Sequence, residues 1–257
     1  MTDFKQLIDK NFNLHATFIP EMHPQMKVFR EAGFSFVDSG ILSDSFNILH
    51  IYKASDLVPE KLKSAIEYFK NLNLPFCIWA NEEEANPSIR NILEKRSVTE
   101  VNKEPGMVLD LLQFTYDSHE KIELEIVRAS SREHMLHFAS TIAANMRPPD
   151  KNVIDFFTKT SAEFLKSDIS IFVLYKNQLP IAVLEAFPTD KETIGIYNFT
   201  TLKEFRKKGF GRFLLSHALF EAKQSGYKYV ILQASEDGIG LYEQIGFRRI
   251  INYYEFQ

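Results

Sequence analysis

Blocks of apolar and polar positions along the first half of the chain are typical of mixed strands and helices. Apolar runs predict three strands, over residues 46–52, 75–79 and 107–114. Asp56 is positioned to cap a helix that runs to about Asn71, with Pro59 in its first turn, where a missing N–H costs little. Asn86-Pro87 opens a second helix, which is predicted to end near Arg96.

The second half predicts the element order β-α-α-β-β-β-α-β-α-β. The predicted strands lie over residues 122–127, 170–175, 181–187, 193–201, 229–233 and 247–256. The predicted helices lie over residues 131–145, 152–166, 210–225 and 238–245. Polar turns at 177–178 and 189–192 indicate that the three middle strands form a meander. Gly226 follows the third helix, where a left-handed residue is favoured.

The length of 257 residues and an apolar content of 45% are enough for two domains with cores of their own. Pro105-Gly106 predicts a turn into the strand over 107–114, and the polar segment 115–121 follows that strand. We therefore place the domain boundary there, with an N-terminal α/β domain over 1–119 and a C-terminal domain over 120–257.

Charge and cysteine content narrow the class of function. The net charge of −4 argues against general binding of nucleic acid. A single cysteine, Cys77, lies in an apolar run, so we expect a buried, reduced thiol rather than a disulfide framework. The N-terminal sequence lacks the basic start and apolar core of a signal peptide, and no apolar run is long enough for a membrane span. These features predict a cytoplasmic protein without a membrane partner.

The most informative stretch is the basic, glycine-punctuated loop Arg206-Lys207-Lys208-Gly209-Phe210-Gly211, which stands between a predicted strand and an amphipathic helix. Unpaired N–H groups and the helix dipole favour an anion at a helix N-terminus. Glycines let the backbone approach a ligand closely, and the cations add attraction for phosphate oxygens. The loop therefore predicts a binding site for a pyrophosphate.

Three motifs in this order resemble the GNAT (Gcn5-related N-acetyltransferase) family. They are the loop Arg206–Gly211, the preceding strand segment Asn198–Thr201, and the stretch Leu241-Tyr242-Glu243-Gln244-Ile245-Gly246-Phe247, which fits the family's LYxxxGF signature. The resemblance covers about residues 122–257. The segment 105–111 is similar to the linker-side strand of members with two tandem GNAT-like domains.

The resemblance implies an α/β fold with a mixed sheet. It implies a C-terminal GNAT domain that uses acetyl-CoA, and a degenerate GNAT-like N-terminal domain that binds no CoA, since the first half has no Gly-x-Gly loop. It assigns acyl-CoA contacts to the following positions: Phe199, Thr200, Thr201, Arg206, Lys207, Lys208, Gly209, Phe210, Gly211, Arg212 and Ser235. In the family the acceptor amine attacks the thioester directly, and the strand backbone polarises the carbonyl.

Two residues are candidates for proton transfer. Tyr242 matches the family's general acid for the departing thiolate, and its alternative is a tyrosine packed near the final helix without a chemical role. Some family members carry a base on the strand before the loop, but residues 193–196 contain no acid here. Glu185, on the neighbouring strand and between apolar residues, is the candidate base or acceptor-site residue, and water-mediated proton removal is the alternative.

The acceptor is expected to be an amine of a small molecule or of a protein N-terminus. Phe138, Asn145 and Arg147 are candidates for shaping its site by position alone. No metal is expected, because His134 and His137 lack further ligands nearby in sequence. Two rival functions stay open: a non-catalytic acyl-CoA-binding sensor, and an interaction module without affinity for CoA.

Overall fold

The computed structural model describes residues 2–116, 124–146 and 148–257. In the first half the elements are α1 (Phe4–Met22), β1 (Lys27–Glu31), β2 (Phe34–Asp38), β3 (Ile48–Ile51), α2 (Pro59–Asn71), β4 (Cys77–Asn81), α3 (Pro87–Glu94) and β5 (Glu100–Asp110). The sequence pattern predicted the last five of these with shifted ends, and it did not predict α1, β1 or β2. Asn86 caps α3 as predicted, since its side chain accepts from the N–H groups of Ser88 and Ile89.

The second half follows the predicted order, except that one predicted helix is observed as two. Its elements are β6 (Leu124–Arg128), α4 (Arg132–Asn145), α5 (Lys151–Lys159), α6 (Ser161–Lys166), β7 (Ser170–Lys176), β8 (Leu179–Pro188), β9 (Thr193–Thr201), α7 (Phe210–Gln224), β10 (Tyr229–Gln233), α8 (Glu236–Ile245) and β11 (Arg248–Phe256). Gly226 after α7 has a φ of 89°, which confirms the left-handed residue expected there. Across the described ranges, the helices lack the length and apolar character that a bilayer-spanning segment needs.

Three local predictions are wrong. Asp56 does not cap α2: that helix begins at Pro59 after Val58, and Asp56 ends a short 3-10 turn and bonds with Lys53 and Ser55. The helix predicted over 152–166 is two helices, α5 and α6, because the chain leaves helical geometry at the buried Thr160.

The turn predicted at Pro105-Gly106 is also absent, since both residues lie inside β5. The carbonyl of Pro105 accepts from the N–H of Ala234 at 3.0 Å. A Cβ on Gly106 would lie 2.9 Å from Cε2 of Tyr253, so the glycine permits a close approach of packed elements instead of a turn.

Contacts between residues divide the chain into two compact units that are each discontinuous in sequence. Unit 1 contains Met1–Met107, Gln233–Asp237 and Arg249–Gln257, and unit 2 contains Val108–Leu232 and Gly238–Arg248. The boundary predicted between residues 119 and 120 falls in 117–123, outside the described residues, and stays a prediction.

Unit 1 contains a mixed sheet with the strand order β1-β2-β3-β4-β11-β5. β3 runs parallel to β4, and β11 runs antiparallel to β4, with Tyr253 opposite Asn81. Its apolar core includes Leu49, Phe69 and Ile78. Cys77 is buried as expected, and burial raises the pKa of its thiol.

Unit 2 has the strand order β10-β9-β8-β7-β6. The strands from β6 to β9 are antiparallel neighbours, which confirms the predicted meander, whereas β10 runs parallel to β9. Helix α7 buries Leu214, Leu215, Ala218 and Leu219. This arrangement brings the end of β9 and the start of α7 together at one end of a parallel pair, where open α/β sheets bind ligands.

Candidate functional site

The parallel strands β9 and β10 pair over only part of their length. The ladder joins Thr193 to Tyr229, Ile194 to Val230 and Gly195 to Ile231. Within the described residues it ends there, although β9 continues to Thr201. The carboxyl-terminal part of β9 is therefore left without a ladder on its β10 side, which is the condition for adding an extended ligand to a strand.

A β-bulge lies in this carboxyl-terminal part of β9. Val183 of β8 faces Thr200, and Glu185 faces Tyr197, so one residue of β8 stands against two of β9, Asn198 and Phe199. Asn198 has a φ of 49°, in the left-handed region that asparagine tolerates better than most residues. A bulge leaves a backbone group outside the ladder and redirects the side chains around it.

Glu185 lies directly behind this bulge. Its side chain is buried, with a relative exposure of 1%, and its Oε2 accepts a hydrogen bond from Nδ2 of Asn198 at 2.7 Å. Burial, together with the negative charge of Glu185, raises the pKa of Tyr197 well above its usual range. The predicted base thus lies inside the protein and bonds to Asn198, a residue of the strand motif 198–201.

The loop between β9 and α7 places successive N–H groups around a concave backbone. Lys207 has a φ of 58° and Gly209 a φ of 81°, with Lys208 between them outside the positive-φ region. Backbones that alternate in this way form concave anion-binding nests. Gly209 is also the N-cap of α7, and no side chain caps this helix start within the described residues.

Gly211 lets the first turn of α7 pack closely against β9. A Cβ at this position would lie 3.2 Å from Oγ1 of Thr201 and 3.4 Å from Cζ of Phe199. The helix N-terminus, with its unpaired N–H groups and positive dipole, consequently adjoins the end of the bulged strand.

The cations of the loop have distinct surroundings. Arg206 donates from Nε to the carbonyl of Thr201 at 3.0 Å and from Nη2 to Oδ1 of Asn145 at 2.9 Å. Lys208 is exposed and donates to the carbonyl of Glu204 at 2.7 Å. Residues 203–212 carry five Lys or Arg against one Glu in a chain of net charge −4, so the positive potential is local.

Tyr242 lies in α8 and is buried, with a relative exposure of 6%. Its ring centroid is 6.2 Å from that of Phe199 and 5.5 Å from that of Phe247. Gly246, with a φ of 112°, ends the helix, and the N–H of Phe247 bonds back to the carbonyl of Tyr242. The LYxxxGF motif therefore forms a helix end that holds Tyr242 against the bulged strand. Both the acid role and the packing role predicted for Tyr242 are consistent with this placement.

The other predicted positions have different surroundings. Ser235 is exposed, directly precedes α8 and belongs to unit 1. Phe138 is fully buried against Phe157 at a centroid distance of 4.9 Å, so it is a core residue in this structure. Asn145 contacts the loop through Arg206. Arg147 lies outside the described residues.

Residues 167–249 match the family model of the acetyltransferase (GNAT) domain. A search of curated protein sequences finds no match to the chain. Among solved structures, a GCN5-related N-acetyltransferase from Kribbella flavida matches with a TM-score of 0.72 at 14% identity, over 100% of this chain and 96% of that one. A functionally unknown conserved protein from Staphylococcus epidermidis ATCC 12228 matches with a TM-score of 0.65 at 16% identity, over 88% and 91%. A tandem GNAT protein from the clavulanic acid biosynthesis pathway matches with a TM-score of 0.61 at 10% identity, over 98% and 93%.

The structural matches define the class: the whole chain has the GNAT fold, and a protein with tandem GNAT domains is among those with the same architecture. Within this fold, residues 167–249 also match the acetyltransferase (GNAT) domain model by sequence. The fold class and the resemblance drawn from the three motifs are confirmed.

Proposed function

We propose that unit 2 is an acetyl-CoA-dependent N-acetyltransferase. The proposal rests on three features that follow one another along the chain. The carboxyl-terminal part of β9 has no ladder to β10, β9 has a bulge at Asn198-Phe199, and a loop with left-handed residues and a glycine N-cap leads into α7. An extended pantetheine chain fits a strand without a neighbour, and a pyrophosphate fits the N-terminus of an uncapped helix.

The residues present suit these two parts of CoA. Backbone N–H groups over 207–212 would hold the pyrophosphate, and Lys207 and Lys208, both exposed, would add charge. The backbone of Phe199–Thr201 would bond the pantetheine amides. Gly211 keeps the space between helix and strand that any side chain would narrow.

The reaction forms a C–N bond to the acceptor amine and breaks the C–S bond of the thioester, so the amine loses a proton and the thiolate gains one. N–H groups at the bulge of β9 would polarise the acyl carbonyl. Tyr242, packed against Phe199, would supply the proton to the thiolate. The amine proton would leave through water or through Glu185, the two routes that the sequence left open.

The acceptor is proposed to be an amine of a small molecule or of a protein N-terminus. A non-catalytic acyl-CoA-binding protein is the alternative, and it would use the same loop and strand without Tyr242 chemistry. The family domain over 167–249 supports affinity for acyl-CoA under either proposal.

Calorimetric titration of the purified chain with acetyl-CoA, and in parallel with CoA, tests the proposal. We expect micromolar binding of both, followed by release of free thiol when a panel of amines is added. Binding without turnover across the panel would favour the acyl-CoA-binding alternative. No binding by a folded protein would refute both and favour an interaction module.

A further inference from the structure

We infer that Glu185 is a positioning residue: through Asn198 it holds the β9 bulge in the conformation that aims backbone N–H groups at the acyl carbonyl. The inference rests on the proposed function, and it assigns to Glu185 a role different from that of a base.

The geometry joins the two residues at the bulge itself. Glu185 is the β8 residue that closes the bulge on one side, opposite Tyr197, and its Oε2 lies 2.7 Å from Nδ2 of Asn198. Asn198 is the bulge residue with left-handed backbone. One hydrogen bond therefore connects the strand on one side of the bulge to the residue whose conformation creates it.

The hydrogen bond between Glu185 and Asn198 can stabilise the left-handed conformation of Asn198. A left-handed conformation costs a non-glycine residue on the order of 1 kcal/mol, and it persists where surrounding contacts hold it. A hydrogen bond to a charged group is stronger than one between neutral groups, and strongest where water is excluded. The carboxylate of Glu185 is buried, so its bond to Asn198 can offset the cost of the bulge.

The same facts disfavour a base. A general base must come within hydrogen-bond reach of the proton that it removes. Glu185 has a relative exposure of 1%, and one of its oxygens already accepts from Asn198.

Three variants separate the two roles. Glu185→Gln keeps an oxygen that can accept from Asn198 and removes the charge that a base needs. Glu185→Leu removes the acceptor and preserves apolar packing. Asn198→Gly keeps a backbone suited to positive φ and removes the side-chain bond. Far-UV circular dichroism and CoA affinity establish that each variant is folded.

The first measurement is hydrogen exchange of the free protein over residues 197–200, which needs no ligand. With the bond lost, we expect exchange about tenfold faster in Glu185→Leu and Asn198→Gly, and a smaller increase in Glu185→Gln, whose bond to Asn198 is neutral and weaker. The second is the carbonyl resonance of bound acetyl-CoA labelled with carbon-13 at the carbonyl, without an amine. We expect a downfield shift in the wild type and Glu185→Gln that is lost in the other two variants, while affinity for CoA is kept.

A base would not affect the carbonyl resonance in the absence of an amine, so a downfield shift that survives in Glu185→Leu overturns the inference. A shift lost equally in Glu185→Gln and Glu185→Leu overturns it too, because charge and not the hydrogen bond would then be required. If the wild type does not bind acetyl-CoA at all, the proposed function fails, and the inference fails with it.

Discussion

Each unit contains a parallel strand pair connected by a helix, and the two pairs differ in how far they stay joined. In unit 1 all four residues of β3 pair with β4, from Ile48 opposite Cys77 to Ile51 opposite Ala80. In unit 2 the ladder between β9 and β10 ends at Gly195, and β9 then runs on to Thr201 with a bulge on the way. Of these two parallel pairs, as far as the structure describes them, only β9–β10 has a first strand that continues beyond its ladder with the second strand.

The segments that follow β3 and β9 also differ in how their backbone N–H groups are hydrogen bonded. After β3, the N–H groups of Tyr52 and Lys53 donate to the carbonyl of Gly33 at 3.0 Å, and the N–H of Ala54 donates to the carboxylate of Glu84. Unit 1 thus satisfies these backbone donors with its own groups. After β9, left-handed residues and a glycine N-cap present donors at a helix start without a side-chain cap. The same order of elements therefore ends differently in the two units: the loop after β3 uses its backbone donors internally, and the loop after β9 is the proposed anion site.

Gly33→Ala gives the largest expected effect, because it disrupts the hydrogen-bonded segment after β3, whose N–H groups donate to the carbonyl of Gly33. Gly33 has a φ of 81°, and a Cβ there would lie 2.2 Å from the carbonyl oxygen of Lys53. We expect the free energy of unfolding, measured by urea titration, to fall by about 3 kcal/mol. Gly226→Ala is the control in unit 2: its φ is 89° with nothing within 4 Å of a Cβ, so backbone strain alone predicts a loss of about 1 kcal/mol. Equal losses would contradict the steric account.

Tyr242→Phe tests whether unit 2 adds chemistry to binding. Removing the hydroxyl keeps the ring contacts with Phe199 and Phe247, so we expect turnover with a competent amine to fall by about 100-fold while affinity for CoA is unchanged. Tyr68→Phe in unit 1 is the matched control. It removes the 2.6 Å hydrogen bond to Asp38 and should lower stability without changing turnover. An equal loss of turnover and CoA affinity in Tyr242→Phe would argue for packing alone.

Charge reversal in the loop after β9, compared with an equal reversal elsewhere on the chain, sharpens the comparison further. Lys207→Glu combined with Lys208→Glu should weaken CoA binding by about 30-fold in calorimetry, since each exposed cation contributes roughly 1 kcal/mol to phosphate binding. Lys53→Glu combined with Lys191→Glu changes the net charge equally, at exposed positions in the loop of unit 1 and in the turn before β9. If that control weakens binding as much, the effect is one of overall charge and the loop assignment is wrong.

The sequence predicted most of the second half because its signals are local. Period-2 alternation, polar turns and a glycine after α7 each act within a few residues, and the elements from β7 to β11 follow them closely. The loop at Gly209 was predictable for the same reason. The bulge was not, because it is a mismatch of register between two strands, and the only local signal was an asparagine, Asn198, inside a strand pattern.

The failures in the first half have a longer-range cause. Pro105-Gly106 has the composition of a turn, yet the strand continues because Gly106 gives room to Tyr253, which is 147 positions further along the chain. The inclusion of β11 in unit 1 likewise depends on contacts between distant residues. A single sequence carries no local pattern for such contacts. The length of β5 and the set of strands in unit 1 could therefore be learned only from the structure.

The smallest expected effect concerns a carboxyl group in unit 1. Burial raises the pKa of Glu104 to about 7, and the charge of Glu255 adds to the rise, while a hydrogen bond from Asn102 opposes it. The pKa is higher in the folded than in the unfolded state, where it is near 4.5. The folded state therefore holds a proton that the unfolded state releases, and stability falls as the pH rises from about 4.5 to 7.

Glu104→Gln removes this titration, so the variant should gain stability relative to the wild type above the folded pKa and show no gain below the unfolded pKa. We expect a gain of about 1 kcal/mol at alkaline pH, smaller than the full shift implies because the side chain is partly exposed. Urea titrations at pH values on either side of the window measure it, with the exposed Glu125→Gln as the control that should change little throughout. A gain that is independent of pH would contradict this account, because it could not arise from the ionisation of buried Glu104. Affinity for CoA should be unchanged in Glu104→Gln, because Glu104 belongs to unit 1 and the segment 199–212, proposed to bind acyl-CoA, belongs to unit 2.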